Sequence, residues 1–268
     1  MKIHELMERI EFPENAKEEV LKYRLEENKY SNWRELFYRD TDLFLKEWKE
    51  SEDHLQWILA FYLQLACEVY EEYQRQNICE DIFDASFKDI TLWGKECYRK
   101  YNCWGLEEAY WIGKTMKMEL FRLGRLQFEP IQLKENLDSE NVHLKEGDYV
   151  LNVHIPADGK MDYEECLKSF TWSKTFFDKK YKAYMCDSWL ISPMLKELLP
   201  SETNIVKFMN LYEIVRVNYD TEQPEIRIFQ DVRADKENYP EDSLLRRKTK
   251  PIFMEGKNTG SGIGVFYR

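Results

Sequence analysis

The sequence predicts an α+β protein in two parts: an α-helical domain over residues 1–118, then a mixed sheet flanked by helices over 119–268. Three observations lead there. Up to about residue 118 apolar side chains recur at helical spacing, and around residue 120 the period drops from 3.6 to 2. No internal repeat and no long Gly/Ser/Pro linker separates the two patterns. At 268 residues the chain is long enough to give each part a hydrophobic core.

In the first part, A-K-E-E-V-L-K-Y-R-L-E-E-N begins after Pro13 and carries Val20, Leu21 and Leu25 at helical spacing. Ser31 is placed to cap a second helix, with Trp33, Glu35, Leu36 and Phe37 following. The most apolar window, H-L-Q-W-I-L-A-F-Y-L-Q-L-A-C-E-V-Y, contains His54, Gln56, Gln64 and Glu68 and runs into E-E-Y-Q-R-Q. It reads as a buried helix over 54–75, because a bilayer span needs ~20 nearly uninterrupted apolar residues. D-I-F-D-A-S-F-K-D-I-T-L-W-G-K and a stretch opened by Gly105 and running to Met118 complete the domain. None of these segments has nucleophile–base or metal-ligand spacing, so their Trp, Tyr and Glu residues read as core and solvated faces.

In the second part, L-F-R-L-G-R-L-Q-F-E (120–129) alternates, and E-G-D-Y-V-L-N-V-H-I-P alternates after a turn at Glu146-Gly147. A helix over 162–178 opens with Asp162 and Glu165 as a capping box. A-Y-M-C-D-S-W-L-I (183–191) is the next strand, stopped by Pro193. Short helices follow near 193–199 and 203–210. L-Y-E-I-V-R-V-N-Y and P-E-I-R-I-F-Q are expected to pair as a hairpin, ahead of a helix near 242–250 and a terminal strand G-V-F-Y-R. The glycine-rich K-N-T-G-S-G-I-G before that strand reads as a turn.

Composition narrows the partners. A net charge of −11, with no local basic patch, argues against nucleic acid and anionic membranes. The N-terminus M-K-I-H-E-L-M-E-R-I is charged throughout and lacks the apolar stretch of a signal peptide. The six cysteines show no C-x-x-C and no nearby His pair, so neither a metal site nor a disulfide framework is expected. The expectation is a cytoplasmic protein with reduced thiols. No pattern specifies an oligomeric state.

Strand 148–156, helix 162–178 and strand 183–190 form a β-α-β unit, whose strands should be parallel and whose ligands should gather at the C-terminal strand ends, where His154 lies. On one face of the first strand stand Asn152 and His154; Arg125, Gln127 and Glu129 share a face of the preceding strand. Cys186 points with Ser188 and Asp187 with Trp189. A strand buried on both sides reads as continuous apolar residues, so polar groups on three neighbouring strands suggest a cleft.

The ordered motifs L-F-R-L-G-R-L-Q-F-E, V-H-I-P-A-D-G, S-F-T-W-S-K-T-F-F, C-D-S-W-L-I-S-P-M-L-K-E-L-L-P, T-N-I-V-K-F, Y-P-E-D-S-L-L-R-R and G-I-G-V-F resemble a bacterial family of acyltransferases. That family joins an N-terminal helical N-acyltransferase domain to a GNAT-like C-terminal domain. The resemblance implies acyl-CoA as co-substrate and a small-molecule acceptor. It also implies a phosphate loop between the strand ending at His154 and the following helix. GNAT enzymes carry Q/R-x-x-G-x-G/A there, and its N–H groups cradle pyrophosphate. H-I-P-A-D-G-K-M-D-Y departs from that pattern. It has one glycine, Gly159, with Lys160 beside it as the second cofactor-binding candidate, and Asp158 and Asp162 oppose an anion.

Three schemes are compatible with these residues. In direct transfer, Glu129 or His154 takes a proton from the acceptor, one of the 17 tyrosines protonates the leaving thiolate, and Arg125, Gln127, Asn152, Asp187 and Trp189 bind substrate. In a covalent route, Cys186 is the nucleophile and His154 its base. In the third, the fold is a non-catalytic module that binds a ligand or a partner protein.

Overall fold

The computed structural model describes all 268 residues and divides them into two units, Met1–Leu123 and Gly124–Arg268. In the first, α1 (Ile3–Arg9), α2 (Glu14–Leu21), α3 (Glu27–Arg39) and α4 (Thr41–Lys49) precede two 22-residue helices, α5 (His54–Arg75) and α6 (Glu80–Tyr101). Then come α7 (Ala109–Met116) and the short strand β1 (Phe121–Leu123). Helix α5 has the predicted bounds and is buried along most of its length, since it carries apolar residues around nearly its whole circumference. Phe37, Phe44, Phe61 and Tyr62 cluster against one another at ring separations of 5.2–6.2 Å, with Tyr62 donating to the Ala109 carbonyl at 2.8 Å.

Two expectations in this unit fail for identifiable reasons. Ser31 lies inside α3; the cap that matters is Asp40, which accepts from Leu43 N–H at 3.0 Å and starts α4. Gly105 does not open a helix. It sits where a Cβ would come within 2.6 Å of the Leu55 Cβ, and the next residue, Leu106, donates its N–H to the Leu55 carbonyl at 3.0 Å. The glycine is there for close approach.

The second unit runs β2 (Leu126–Gln132), β3 (Leu137–Asp138), β4 (His143–Leu144), β5 (Tyr149–His154), α8 (Tyr163–Phe176) and β6 (Ala183–Ser188). It continues with α9 (Pro193–Leu198), α10 (Asn204–Met209), β7 (Glu213–Asn218), α11 (Gln223–Phe229), α12 (Leu244–Met254) and β8 (Ser261–Tyr267). Its sheet has the order β2-β5-β6-β8-β7, in which only β5 and β6 run parallel, as the β-α-β unit requires. Asp162 caps α8 by accepting from Glu165 N–H at 3.1 Å, and Arg268 closes the other end of that helix by donating to the Ser173 and Phe177 carbonyls.

The hairpin expected between residues 211–219 and 224–230 does not form. Pro224 stands in the first turn of α11, where a missing N–H costs nothing, and Ile228 and Phe229 pack on Tyr239 and Phe253. Strand β7 pairs with β8 instead, with a bulge at Val215. The glycine-rich segment, expected as a turn, is divided: Lys257–Gly260 lead into β8, with Gly260 at φ 80°, while Gly262 and Gly264 lie within the strand, paired to Ser188 and Cys186.

The two faces of this sheet differ. On one, Phe128, Tyr184 and Phe266 pack against Phe170 of α8 at ring separations of 4.8–5.9 Å, and Tyr184 shares a 2.7 Å hydrogen bond with Ser173. The other begins at the start of β5 and β6 as an apolar cluster of Ile131, Val150, Ala183, Met185 and Val265, covered by Leu137, Val142 and Leu144 of the β3–β4 hairpin. Farther along the strands that same face turns polar.

Candidate active site

The polar patch is set by register. Strand β2 runs antiparallel to β5 with Glu129 opposite Asn152 and Gln127 opposite His154, so all four side chains share a face. Glu129 Oε2 receives two donors: Asn152 Nδ2 at 3.1 Å and His154 Nε2 at 2.9 Å. Its side chain is 10% exposed and that of His154 22%, so the pair is sheltered yet open on one side.

The β5–β6 ladder joins Val150–Asn152 to Ala183–Met185, while β5 continues to His154 and β6 to Ser188. Beyond Asn152 and Met185 the two strands no longer share a ladder, and His154 and Asp187 stand at the same level on the two lips of the opening. Asp187 is exposed at its edge, yet partial burial raises its carboxyl above the usual range, against the pull of His154 and then of Arg216. Arg216 reaches the same face from β7 through Ile263 of β8, and is held by Glu135 at 2.8 and 3.0 Å. The alternation in L-Y-E-I-V-R-V-N-Y hides this residue, because the bulge at Val215 resets the parity.

Cys186 is elsewhere. It is fully buried on the opposite face, paired with Gly264 and flanked by the Tyr184 side of the core, and burial drives its thiol pKa well up. His154 and Cys186 therefore lie on opposite sides of one sheet, and the thiolate–imidazole pair of the covalent route is not assembled. Trp189 also leaves the patch. The strand ends at Ser188, whose Oγ accepts from Leu190 N–H, and Trp189 begins a 3-10 turn that packs on Phe229, Tyr239 and Phe253. Neither Tyr184 nor Tyr212 is positioned to protonate a leaving group at the patch: Tyr184 is bonded to Ser173 in the core, and Tyr212 is equally buried there.

Arg125 does not extend the row of Gln127 and Glu129, because the expected strand is broken at Gly124, where φ is 69°. Its guanidinium turns instead to the loop between β5 and α8, where Gly159 and Lys160 are exposed. No helix of the structure is long and apolar enough to cross a membrane.

A mixed sheet whose one parallel strand pair parts at its C-terminal end, with a helix packed across it, follows a helical unit in the chain. Residues 1–118 match the N-acyltransferase N-terminal domain model and residues 120–266 the GNAT-like C-terminal domain model. The chain belongs to the family that joins these two domains. Among solved structures, an acyltransferase in complex with decanoyl-CoA and teicoplanin superposes with a TM-score of 0.79 at 18% identity, covering 98% of this chain and 87% of that one. An acyltransferase in complex with CoA and 10C-teicoplanin gives 0.79 at 17% over the same shares. A further acyltransferase in complex with decanoyl-CoA gives 0.68 at 16%, covering 99% of each chain. At these identities the likeness is one of fold. No curated protein sequence matches the chain.

Proposed function

We propose that this protein transfers an acyl group directly from acyl-CoA to the amine or hydroxyl of a small-molecule acceptor. The observation that carries the reading is the 2.9 Å contact between His154 Nε2 and Glu129 Oε2 at the opening between β5 and β6. As a carboxylate Glu129 accepts only, and the tautomer that suits it carries its proton on Nε2 and leaves Nδ1 as the basic nitrogen. His154 Nδ1 takes the acceptor's proton as its nitrogen or oxygen bonds to the thioester carbonyl; the C–S bond then breaks and coenzyme A leaves as the thiolate. Glu129 steadies the imidazolium so formed, and Asn152 fixes the carboxylate by holding the same oxygen. Strand ends parted on one side present backbone groups to which an extended amide arm can bind. The complexes of the structural neighbours with decanoyl-CoA and CoA support acyl-CoA as the donor, and their teicoplanin complexes support an acceptor of modest size.

The test is a thermal-denaturation series with acetyl-, octanoyl- and decanoyl-CoA. A ligand at ~100 times its dissociation constant adds ~2.7 kcal/mol to the folded state. A rise in melting temperature with at least one of them is expected; none with any sinks the reading. Cys186→Ala should leave turnover unchanged and cost ~1 kcal/mol of stability, the typical price of a core truncation. Abolished turnover in a folded Cys186→Ala protein would reinstate the thiol.

A further inference from the structure

We propose that Arg125 is a positioning residue for coenzyme A, locking the β5–α8 loop into an anion-receptive conformation without a glycine-rich motif. This rests on the acyl-CoA reading above. The Arg125 guanidinium donates from Nη2 to the Pro156 carbonyl at 2.9 Å and the Gly159 carbonyl at 3.0 Å, and from Nε to the Lys160 carbonyl at 3.2 Å. Nη1 lies 3.8 Å from Asp158 Oδ1. Its backbone N–H donates to Ser169 Oγ at 2.9 Å, so one residue ties the loop to helix α8. Asn204 Nδ2 holds the next carbonyl, that of Met161, at 2.8 Å.

Peptide geometry turns this into a statement about donors. In a trans peptide the C=O and N–H point in opposite directions. Three carbonyls converging on one guanidinium send the N–H groups of Ala157, Lys160 and Met161 the other way, and none of the three donates to an acceptor within the chain. GNAT loops aim N–H groups outward through the backbone freedom of glycine; here a planar five-donor side chain, from a residue more than thirty positions upstream, imposes the same orientation. The carboxylates that oppose a pyrophosphate are also engaged. Asp158 lies beside Arg125, and Asp162 is used as the cap of α8, leaving the exposed Lys160 to meet the anion. At Gly159 a Cβ would meet nothing within 4 Å, so that side of the loop is open.

Calorimetric titration of CoA, and of an S-acyl-pantetheine thioester lacking the pyrophosphate, into wild-type protein and into Arg125→Ala and Arg125→Lys tests this. Arg125→Ala should weaken CoA binding at least about tenfold and leave the pantetheine thioester within about twofold; Arg125→Lys, which keeps the charge but not the fork, should fall between. Should Arg125→Ala not fold, Arg125→Lys decides by the same ratio. Unchanged CoA affinity in a folded variant overturns the proposal, as does an equal loss for both ligands. Wild-type protein that binds no CoA overturns the acyl-CoA reading itself, and does so before any substitution is made.

Discussion

His154→Ala is expected to lower kcat/KM for acyl transfer by about 10²–10⁴, the usual contribution of a positioned general base, which corresponds to about 3–5 kcal/mol of transition-state stabilisation. Stability should change little, because the ring is partly exposed at a strand end. Glu129→Gln is the sharper comparison. Glutamine keeps an oxygen where the Asn152 and His154 donors converge, so the histidine tautomer is retained and only the charge is lost. The difference between charged and neutral hydrogen bonds is about 1–1.5 kcal/mol, so a loss of about tenfold is expected, smaller than for His154→Ala. Initial rates at several acyl-CoA concentrations, with circular dichroism to check folding, distinguish the two. A His154→Ala protein with wild-type kcat/KM would exclude the histidine as base; a Glu129→Gln loss equal to that of His154→Ala would make Glu129 the group that takes the proton.

How much of this patch is legible in the sequence depends on register. Alternation within a strand tells that Asn152 and His154 share a side, and that Gln127 and Glu129 do. It does not tell which sides of different strands coincide. That depends on pairing: Glu129 meets Asn152 because β2 and β5 align as they do, and the parallel β5–β6 register puts Asp187 level with His154 while sending Cys186 to the core. A one-residue slip of β6 would have exchanged the two. Arg125 and Trp189 are lost to the patch for a different reason, since regular alternation stops at Gly124 on one side and at Ser188 on the other. The buried helix at 54–75 and the β-α-β unit are legible because their patterns are long and internally consistent. P-E-I-R-I-F-Q misleads because Ile226 and Ile228 are spaced like strand residues while Pro224 is placed like a helix start. The donor-presenting loop is legible least of all, because the residue that shapes it lies far upstream.

The glycines of β8 carry the largest stability effect expected in the second unit. Gly262 is paired to Ser188 on β6 and to Val217 on β7, and the 3-10 turn at Trp189–Ile191 crosses over it so closely that a Cβ would fall inside contact distance of the Ile191 carbonyl oxygen and 3.0 Å from its carbon. Both obstacles are backbone, so no side-chain rotation can relieve them. Gly262→Ala is therefore expected to destabilise by about 1–3 kcal/mol through overpacking, lowering the melting temperature by roughly 3–10 °C. Because the displaced turn directly follows Asp187 and Ser188, the lip of the opening should shift with it, and acyl-CoA affinity should fall in the same variant. Gly159→Ala supplies the control. It adds the same methyl group where a Cβ meets nothing within 4 Å, and should stay within about 0.5 kcal/mol of wild type. Scanning calorimetry on the two variants decides between close approach and mere strand flexibility as the reason for a glycine in mid-strand. If flexibility were the reason, Gly262→Ala would stabilise the fold by restricting the unfolded chain, and its melting temperature would rise.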